Sequence, residues 1–83
     1  MSWGVLWSDK SKKQLSKMDK KTARRIRDAV LDCVDDPFSV AIRLTNSRFY
    51  KIRVGSYRVI LDLQQHTMII FIVETDLRKR IYR

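Results

Sequence analysis

The stretch Tyr50–Ile60, which reads YKIRVGSYRVI, decides the fold. Apolar and polar side chains alternate along it, and this period of two is typical of a strand with one buried and one exposed face. The pair Gly55–Ser56 interrupts the alternation and permits a tight turn, so the stretch predicts a β-hairpin. Lys51 and Arg53 then share one face of the first strand, and Arg58 lies close to Arg53 on the second.

The residues after the hairpin extend the sheet. The second strand is predicted over Tyr57–Leu63, and a turn follows over Gln64–Thr67. The segment Met68–Glu74 is almost uniformly apolar, which is typical of a central strand covered on both faces. The charged residues Asp76–Arg83 predict a turn and a short final element. The second half of the chain therefore contains three consecutive antiparallel strands.

The start of the chain predicts a short strand and a first helix. Trp3–Trp7 has its large side chains at period two, as a strand requires. Ser8 or Asp9 then provides a cap for a helix that runs to about Met18.

A second, basic helix is predicted from Lys20 to about Asp35, with Asp19 as its cap. Apolar residues recur along it at a period of 3.6 and form one stripe, so one side of the helix packs on a core. Asp36–Pro37 ends the helix, because the residue before a proline avoids helical geometry. Residues Phe38–Arg48 are predicted to form a connection.

This element order predicts an α+β fold in a single domain of residues 1–83. A strand and two helices precede the three antiparallel strands, and the two N-terminal helices pack on one face of a small antiparallel sheet, because an apolar sheet face must be buried. A chain of 83 residues has room for one core and one shallow site. The other face of the sheet then carries the basic side chains of the hairpin.

The charge balance favours a polyanionic partner. Eighteen Lys and Arg residues against nine Asp and Glu residues give a formal net charge of +9. Such a field favours nucleic acid, an acidic protein or an anionic membrane surface, and charge alone does not choose among them.

Neither a metal site nor a cofactor is predicted. The single cysteine, Cys33, excludes an internal disulfide and a cysteine-based metal centre, and the single histidine, His66, excludes a histidine-rich one. The longest apolar run, Met68–Val73, is far shorter than the roughly 20 residues of a membrane span. Without a signal-peptide pattern, the sequence predicts a cytoplasmic protein that has no membrane partner.

Two interpretations of the basic residues stay open. Three cations on one half-exposed sheet face repel one another and favour a bound anion, and arginine presents a planar fork that matches phosphate. A solvated sheet face is the simpler interpretation of the same residues. The helical cations likewise form either a solvated surface or contacts to an RNA backbone: Lys13, Lys17, Lys20, Lys21, Arg24 and Arg25. Glu74 and Asp76 lie among cations and are predicted to pair with them.

The hairpin sequence resembles the RelE/ParE toxin superfamily, and RelE-like members in particular. Those proteins tend to show a strand ending in Arg-Val-Gly, a small or acidic residue, then Tyr-Arg and an apolar strand. The closing pattern of an arginine and a tyrosine four residues apart also matches, at Arg78 and Tyr82. Asp76 and Leu77 stand where many relatives have Gly-His. The resemblance covers essentially the whole chain.

The resemblance implies a toxin of a toxin–antitoxin system that cuts mRNA in the ribosomal A site. The implied reaction is metal-free attack of a 2′-hydroxyl on the adjacent phosphate, which leaves a 2′,3′-cyclic phosphate and a 5′-hydroxyl. Lys51 is a better candidate base than an arginine, because nearby cations ease the loss of a lysine proton. The catalytic residues implied by the family are Lys51, Arg53, Arg58, Arg78 and Tyr82.

The resemblance also implies the partners and leaves two alternatives. A RelB-like antitoxin is expected to neutralise the toxin, the ribosome and mRNA are its targets, and operator DNA is bound only through the toxin–antitoxin complex. A ParE-like inhibitor of DNA gyrase would share the fold without nuclease chemistry. A catalytically decayed binding module would keep the fold alone, and the loss of the Gly-His pair favours this second alternative.

Overall fold

The computed structural model describes residues 2–77, which form a five-stranded sheet with helices packed against it. The elements in chain order are β1 (Gly4–Trp7), α1 (Asp9–Ser16), α2 (Lys20–Leu31), α3 (Pro37–Val40), β2 (Ile42–Arg43), β3 (Tyr50–Val54), β4 (Tyr57–Gln64) and β5 (Ile69–Leu77). The predicted α+β class and the strand–helix–helix order are confirmed. No helix in the described part is long and apolar enough to cross a bilayer.

The sheet is mixed, with the strand order β1-β5-β4-β3-β2. Strands β3, β4 and β5 form the predicted antiparallel series. Strand β1 pairs with β5 in parallel, so the prediction of an antiparallel sheet is corrected at this edge. Parallel neighbours need a long crossover between them, and the helices together with β2, β3 and β4 supply one.

The segment predicted as a connection contains a short helix and an edge strand. Pro37 is in the first turn of α3. A backbone N–H at this position has no acceptor within the helix, so a proline, which lacks the N–H, is tolerated there. The Asp36–Pro37 pair therefore opens a helix, which corrects the prediction that it ends the preceding one. Helix α2 already ends at Leu31, and residues 32–35 form turns.

Two side-chain caps fix where the long helices begin. The Ser8 hydroxyl accepts a hydrogen bond from the Ser11 amide at 3.0 Å, so Ser8 rather than Asp9 caps α1. The Asp19 carboxylate accepts one from the Thr22 amide at 3.3 Å and one from its hydroxyl at 2.6 Å. These bonds satisfy amides that lack a partner inside the helix, and they confirm both predicted helix starts.

The core lies between the sheet and helices α1 and α2. It contains Leu15 from α1 and the predicted apolar stripe of α2, and the strands add alternate residues: Ile52, Val54, Val59, Leu61, Ile70 and Ile72. Because neighbouring side chains of a strand point to opposite faces, the basic residues of the hairpin emerge on the side away from the helices.

Strand β5 contains one residue more than β4 across the ladder. Leu61 pairs with Ile72, but its neighbour Ile60 pairs with Glu74, so Val73 forms a β-bulge. The bulge shifts the register of everything that follows it in β5 by one residue.

Candidate nucleic-acid interface

The hairpin sets two arginines directly opposite each other. Arg53 on β3 pairs with Arg58 on β4, which confirms their predicted proximity. The two-residue turn between the strands depends on Gly55, whose φ of 58° lies in the left-handed region that glycine adopts without strain. Lys51 precedes Arg53 by two residues on the same side of β3. We call Lys51, Arg53 and Arg58 the basic face.

Two members of the basic face have no counterion in the part of the chain that the structure describes. Lys51 is half-buried and Arg53 is exposed, and no acidic side chain from residues 2–77 lies within 4.0 Å of either charged group. Like charges directly opposite each other destabilise a sheet. A bound anion would reduce this repulsion.

Arg58 differs because it has an internal partner. Its Nη2 donates to Asp76 Oδ2 at 3.2 Å, and the two side chains are 26% and 33% exposed. The Nε of Arg58 is buried and has no acceptor among the described residues. The ion pair therefore uses one nitrogen of the guanidinium, and the buried Nε makes no hydrogen bond to the described residues.

The bulge in β5 is what brings Asp76 to Arg58. The two residues are cross-strand partners after the bulge at Val73, whereas an unbulged ladder would place Thr75 opposite Arg58. The Val73 carbonyl accepts a hydrogen bond from the Ser8 hydroxyl at 2.7 Å, which holds the bulge against the start of α1. Asp76 was predicted to lie in a turn beyond the strand, and this is corrected, because a bulge of one residue leaves no periodic signal in the sequence.

Two other carboxylates on the basic side of the sheet are also paired. Glu74 lies 2.6 Å from Lys10, and this hydrogen bond and charge raise the pKa of Lys10 above its ordinary value. Asp62 lies 3.1 Å from Arg48 and also accepts a hydrogen bond from Gln64 at 3.3 Å. The predicted pairing of Glu74 and Asp76 with cations is confirmed.

The helical cations form a second basic surface in the other layer of the molecule. The six predicted RNA contacts are exposed on or beside α1 and α2, which cover the opposite face of the sheet: Lys13, Lys17, Lys20, Lys21, Arg24 and Arg25. Of these, Arg25 lies beside the hairpin turn, where a methyl group on Gly55 would be 3.6 Å from its Nη1. Arg25 and the turn line a shallow pocket of about 170 Å³ with Thr22 and Tyr57.

Two of the predicted catalytic residues, Arg78 and Tyr82, lie outside the described residues. The structure therefore assembles three of the five, and their catalytic roles stay a prediction. Among the described residues, no three His, Cys, Asp or Glu side chains are grouped so as to hold a metal ion.

The model of the family "ParE toxin of type II toxin-antitoxin system, parDE" matches residues 5–82. The chain belongs to the ParE toxin family. Its predicted membership of the RelE/ParE superfamily is thereby confirmed, and it is a toxin of a toxin–antitoxin system. A sequence comparison with curated proteins finds no significant match.

The fold is similar to that of solved RelE toxins in complexes with RelB antitoxins. A RelBE complex from Mycobacterium tuberculosis superposes with a TM-score of 0.82 at 17% identity, covering 94% of this chain and 100% of that one. An archaeal RelE–RelB complex from Pyrococcus horikoshii superposes with a TM-score of 0.79 at 23% identity, covering 96% of this chain and 99% of that one. The intact E. coli RelBE complex superposes with a TM-score of 0.78 at 14% identity, covering 90% of this chain and 95% of that one. At these identities the likeness concerns the fold.

Proposed function

We propose that this toxin binds RNA on its basic face and cleaves mRNA in the ribosomal A site. The observation that carries the proposal is the direct pairing of Arg53 with Arg58, with Lys51 beside them on the same side of the sheet. Three cations on one surface favour a ligand with several anionic oxygens, and a phosphodiester is such a ligand. The RelE-like fold supports the same proposal.

In the proposed reaction, the basic face stabilises the negative charge that develops on the phosphate. Arg58 holds the phosphate, and Arg53 and Lys51 lie beside it as the 2′-oxygen attacks. Lys51 is the proposed base, because arginine does not release its proton in this pH range. Arg78 is assigned to stabilising the charge on the leaving 5′-oxygen, which takes its proton from water, and Tyr82 to orienting the 2′-hydroxyl. The products are a 2′,3′-cyclic phosphate and a 5′-hydroxyl.

The location of the basic face explains why the reaction would depend on the ribosome. Three side chains of a sheet offer few contacts for aligning a flexible RNA strand, and alignment contributes much of the rate in such reactions. Apart from Arg25, which lies beside the hairpin turn, the helical cations lie on or beside the helices in the other layer of the molecule. They are proposed to contact the ribosomal RNA backbone while the sheet contacts the mRNA.

The proposed cellular partners follow from the same surfaces. A cognate RelB-like antitoxin would cover the basic face and neutralise it, and operator DNA would be bound only through that complex. We propose that the toxin acts in the cytoplasm as a single domain, since its targets there are the ribosome and mRNA.

A reconstituted translation reaction tests the cleavage proposal, with primer extension on a reporter mRNA as the readout. We expect cuts within the A-site codon of translated message. Arg58→Ala should reduce cutting by at least about 100-fold, because a preorganised cation at the reacting phosphate is lost. Arg27→Ala is the matched control, since it removes an exposed arginine from α2 and should cut normally. Uncut message with folded protein, or undiminished cutting by folded Arg58→Ala, would overturn the proposal.

Inhibition of DNA gyrase is the second candidate function. It is favoured by the match to the ParE family and by the Arg58–Asp76 ion pair, which occupies the proposed phosphate-binding group. A supercoiling assay with the same protein preparation separates the two. Inhibited supercoiling with uncut message would support the ParE-like function, and no effect in either assay would support a decayed binding module.

A further inference from the structure

The guanidinium assigned to the RNA phosphate is already engaged by a carboxylate of the same chain. Asp76 accepts a hydrogen bond from Arg58 at 3.2 Å, and both side chains remain partly open to solvent. Asp76 and a phosphate oxygen would compete for the same donor, because both are anionic acceptors of charge-assisted hydrogen bonds. Any anion that reaches Arg58 must therefore displace Asp76 or share the guanidinium with it.

The position of this carboxylate is built into the sheet. The bulge at Val73 replaces Thr75 by Asp76 as the cross-strand partner of Arg58, and the bulge is itself held by the Ser8 hydroxyl. Asp76 thus lies beside the basic face by virtue of the backbone register, and no flexible loop is needed to bring it there.

The Arg58–Asp76 ion pair makes fewer hydrogen bonds than the other part-buried carboxylate on this side of the sheet makes. Asp62, on the same side of the sheet, accepts hydrogen bonds from two side chains, Arg48 and Gln64. Asp76 takes one nitrogen of Arg58 and leaves the buried Nε without an acceptor in the described chain. The basic face is thus partly neutralised at Arg58, whereas Lys51 and Arg53 have no counterion among the described residues.

We propose that Asp76 is an internal counterion that competes with RNA phosphate for Arg58 and so decides which anions occupy the basic face. A ligand that contacts Arg58 alone gains little, because it replaces one carboxylate with another anion. A polynucleotide that also reaches Arg53 and Lys51 gains contacts that Asp76 does not oppose. The inference rests on the proposed RNA binding and makes Asp76 a determinant of affinity and selectivity.

Equilibrium binding of an uncleavable RNA tests this inference without relying on catalysis. The probe is a short, fluorescently labelled RNA with methylated 2′-hydroxyls, and its anisotropy is followed during titration with protein. We expect Asp76→Asn to bind about fivefold more tightly than the unmodified toxin, since one competing ion pair is removed. Glu74→Gln is the matched control. It removes the same charge two residues away on the same strand, where the partner is Lys10, and should change affinity by less than about twofold.

A double substitution shows whether the gain acts through Arg58. In an Arg58→Ala background, Asp76→Asn should no longer tighten RNA binding, because the guanidinium for which Asp76 and the phosphate compete is absent. Asp76→Thr, with a residue that favours strands, serves as a second variant if Asp76→Asn does not fold. The inference is overturned if folded variants bind as tightly as the unmodified toxin, if Glu74→Gln gains as much, or if the gain persists without Arg58.

The same measurements keep this inference separate from the cleavage proposal. If the toxin leaves translated mRNA uncut but Asp76→Asn still tightens RNA binding through Arg58, the cleavage proposal is wrong and the role of Asp76 as a competing counterion is supported. If the toxin cuts mRNA but binds the probe equally well with and without Asp76, the cleavage proposal is supported and the inference about Asp76 is wrong.

Discussion

Asp19 contributes to stability through a cap that depends on its charge. Its carboxylate accepts hydrogen bonds from the hydroxyl and the amide of Thr22, and these bonds lower its pKa below the ordinary value. A group whose pKa is lower in the folded state stabilises the fold above its unfolded pKa, and this contribution is lost as the pH falls through the folded pKa. The cap is therefore effective at neutral pH and fails in acid.

We predict that Asp19→Ala lowers the melting temperature by a few degrees at pH 7, because α2 loses its cap. The difference from the unmodified toxin should shrink as the pH is lowered below 4, where the carboxylate of the unmodified protein becomes protonated. Thermal unfolding followed by circular dichroism from pH 7 to pH 2.5 measures both effects. Asp28→Ala removes the same charge from α2 without removing a cap. Equal melting of both variants at pH 7 would contradict the role of Asp19.

The candidate site was predictable from the sequence where it depends on local spacing. The period of two and the Gly55–Ser56 turn were sufficient to place Arg53 next to Arg58. The partner of Arg58 was not predictable, because Asp76 reaches it only through the bulge at Val73. A bulge depends on contacts made elsewhere in the fold, here with the first helix, and a strand pattern read from sequence does not contain them.

Helix α1 protects the part of β5 that extends beyond β1. Strand β1 pairs with β5 only as far as Ile72, so the following residues lie at a sheet edge. There Gln14 Oε1 accepts hydrogen bonds from the Thr75 amide at 2.7 Å and from its hydroxyl at 3.1 Å. Side chains of the helical segment thus replace the missing strand, which matters because open edges recruit other chains.

We predict that Gln14→Leu lowers the free energy of unfolding by about 1–3 kcal/mol, because two donors of Thr75 lose their acceptor in a site that is only 3% exposed. Urea unfolding followed by circular dichroism measures the change. Gln14→Glu keeps an acceptor oxygen at the same reach and should remain within about 1 kcal/mol of the unmodified toxin. Equal stability of Gln14→Leu and the unmodified toxin would show that water replaces the acceptor without cost.

The long elements were predicted because each has its own pattern and boundary signal. Helix α2 has an apolar stripe and a capping aspartate, and β3 and β4 flank a glycine turn. The two-residue β2 is too short to show any period, and its pairing depends on the neighbouring β3. The parallel pairing of β1 with β5 could not be predicted either, because side chains alternate along a short strand in the same way whether its neighbour is parallel or antiparallel.

In the part of the chain that the structure describes, basic residues lie in both layers of the molecule. The basic face lies on one side of the sheet, and the helical cations lie on the side that α1 and α2 cover. Three ion pairs are present among the described residues, at Lys10, Arg48 and Arg58. The net charge of +9 is the excess of cations over anions in the whole sequence, so ion pairs within the chain cannot neutralise it. Repulsion of this kind disfavours the compact state and is relieved by salt or a polyanion.

We predict that the melting temperature rises when NaCl is increased from about 10 mM to about 100 mM. The principal extents are 35, 29 and 21 Å. The screening length falls from about 30 Å to about 10 Å over this range, so repulsion across the molecule is largely removed. The three ion pairs weaken as well, but partly exposed pairs contribute less than about 1 kcal/mol each. Differential scanning fluorimetry over a salt series measures the change.

A variant with Lys13→Glu, Lys17→Glu and Lys21→Glu is the matched control for this effect. Each exchange replaces an exposed cation by an anion, so the variant has a much smaller net charge on the same fold. Its melting temperature should exceed that of the unmodified toxin at about 10 mM salt and should respond less to added NaCl, because there is less repulsion to screen. A melting temperature that falls with salt in the unmodified toxin would mean that the ion pairs at Lys10, Arg48 and Arg58 outweigh the repulsion between the two basic layers.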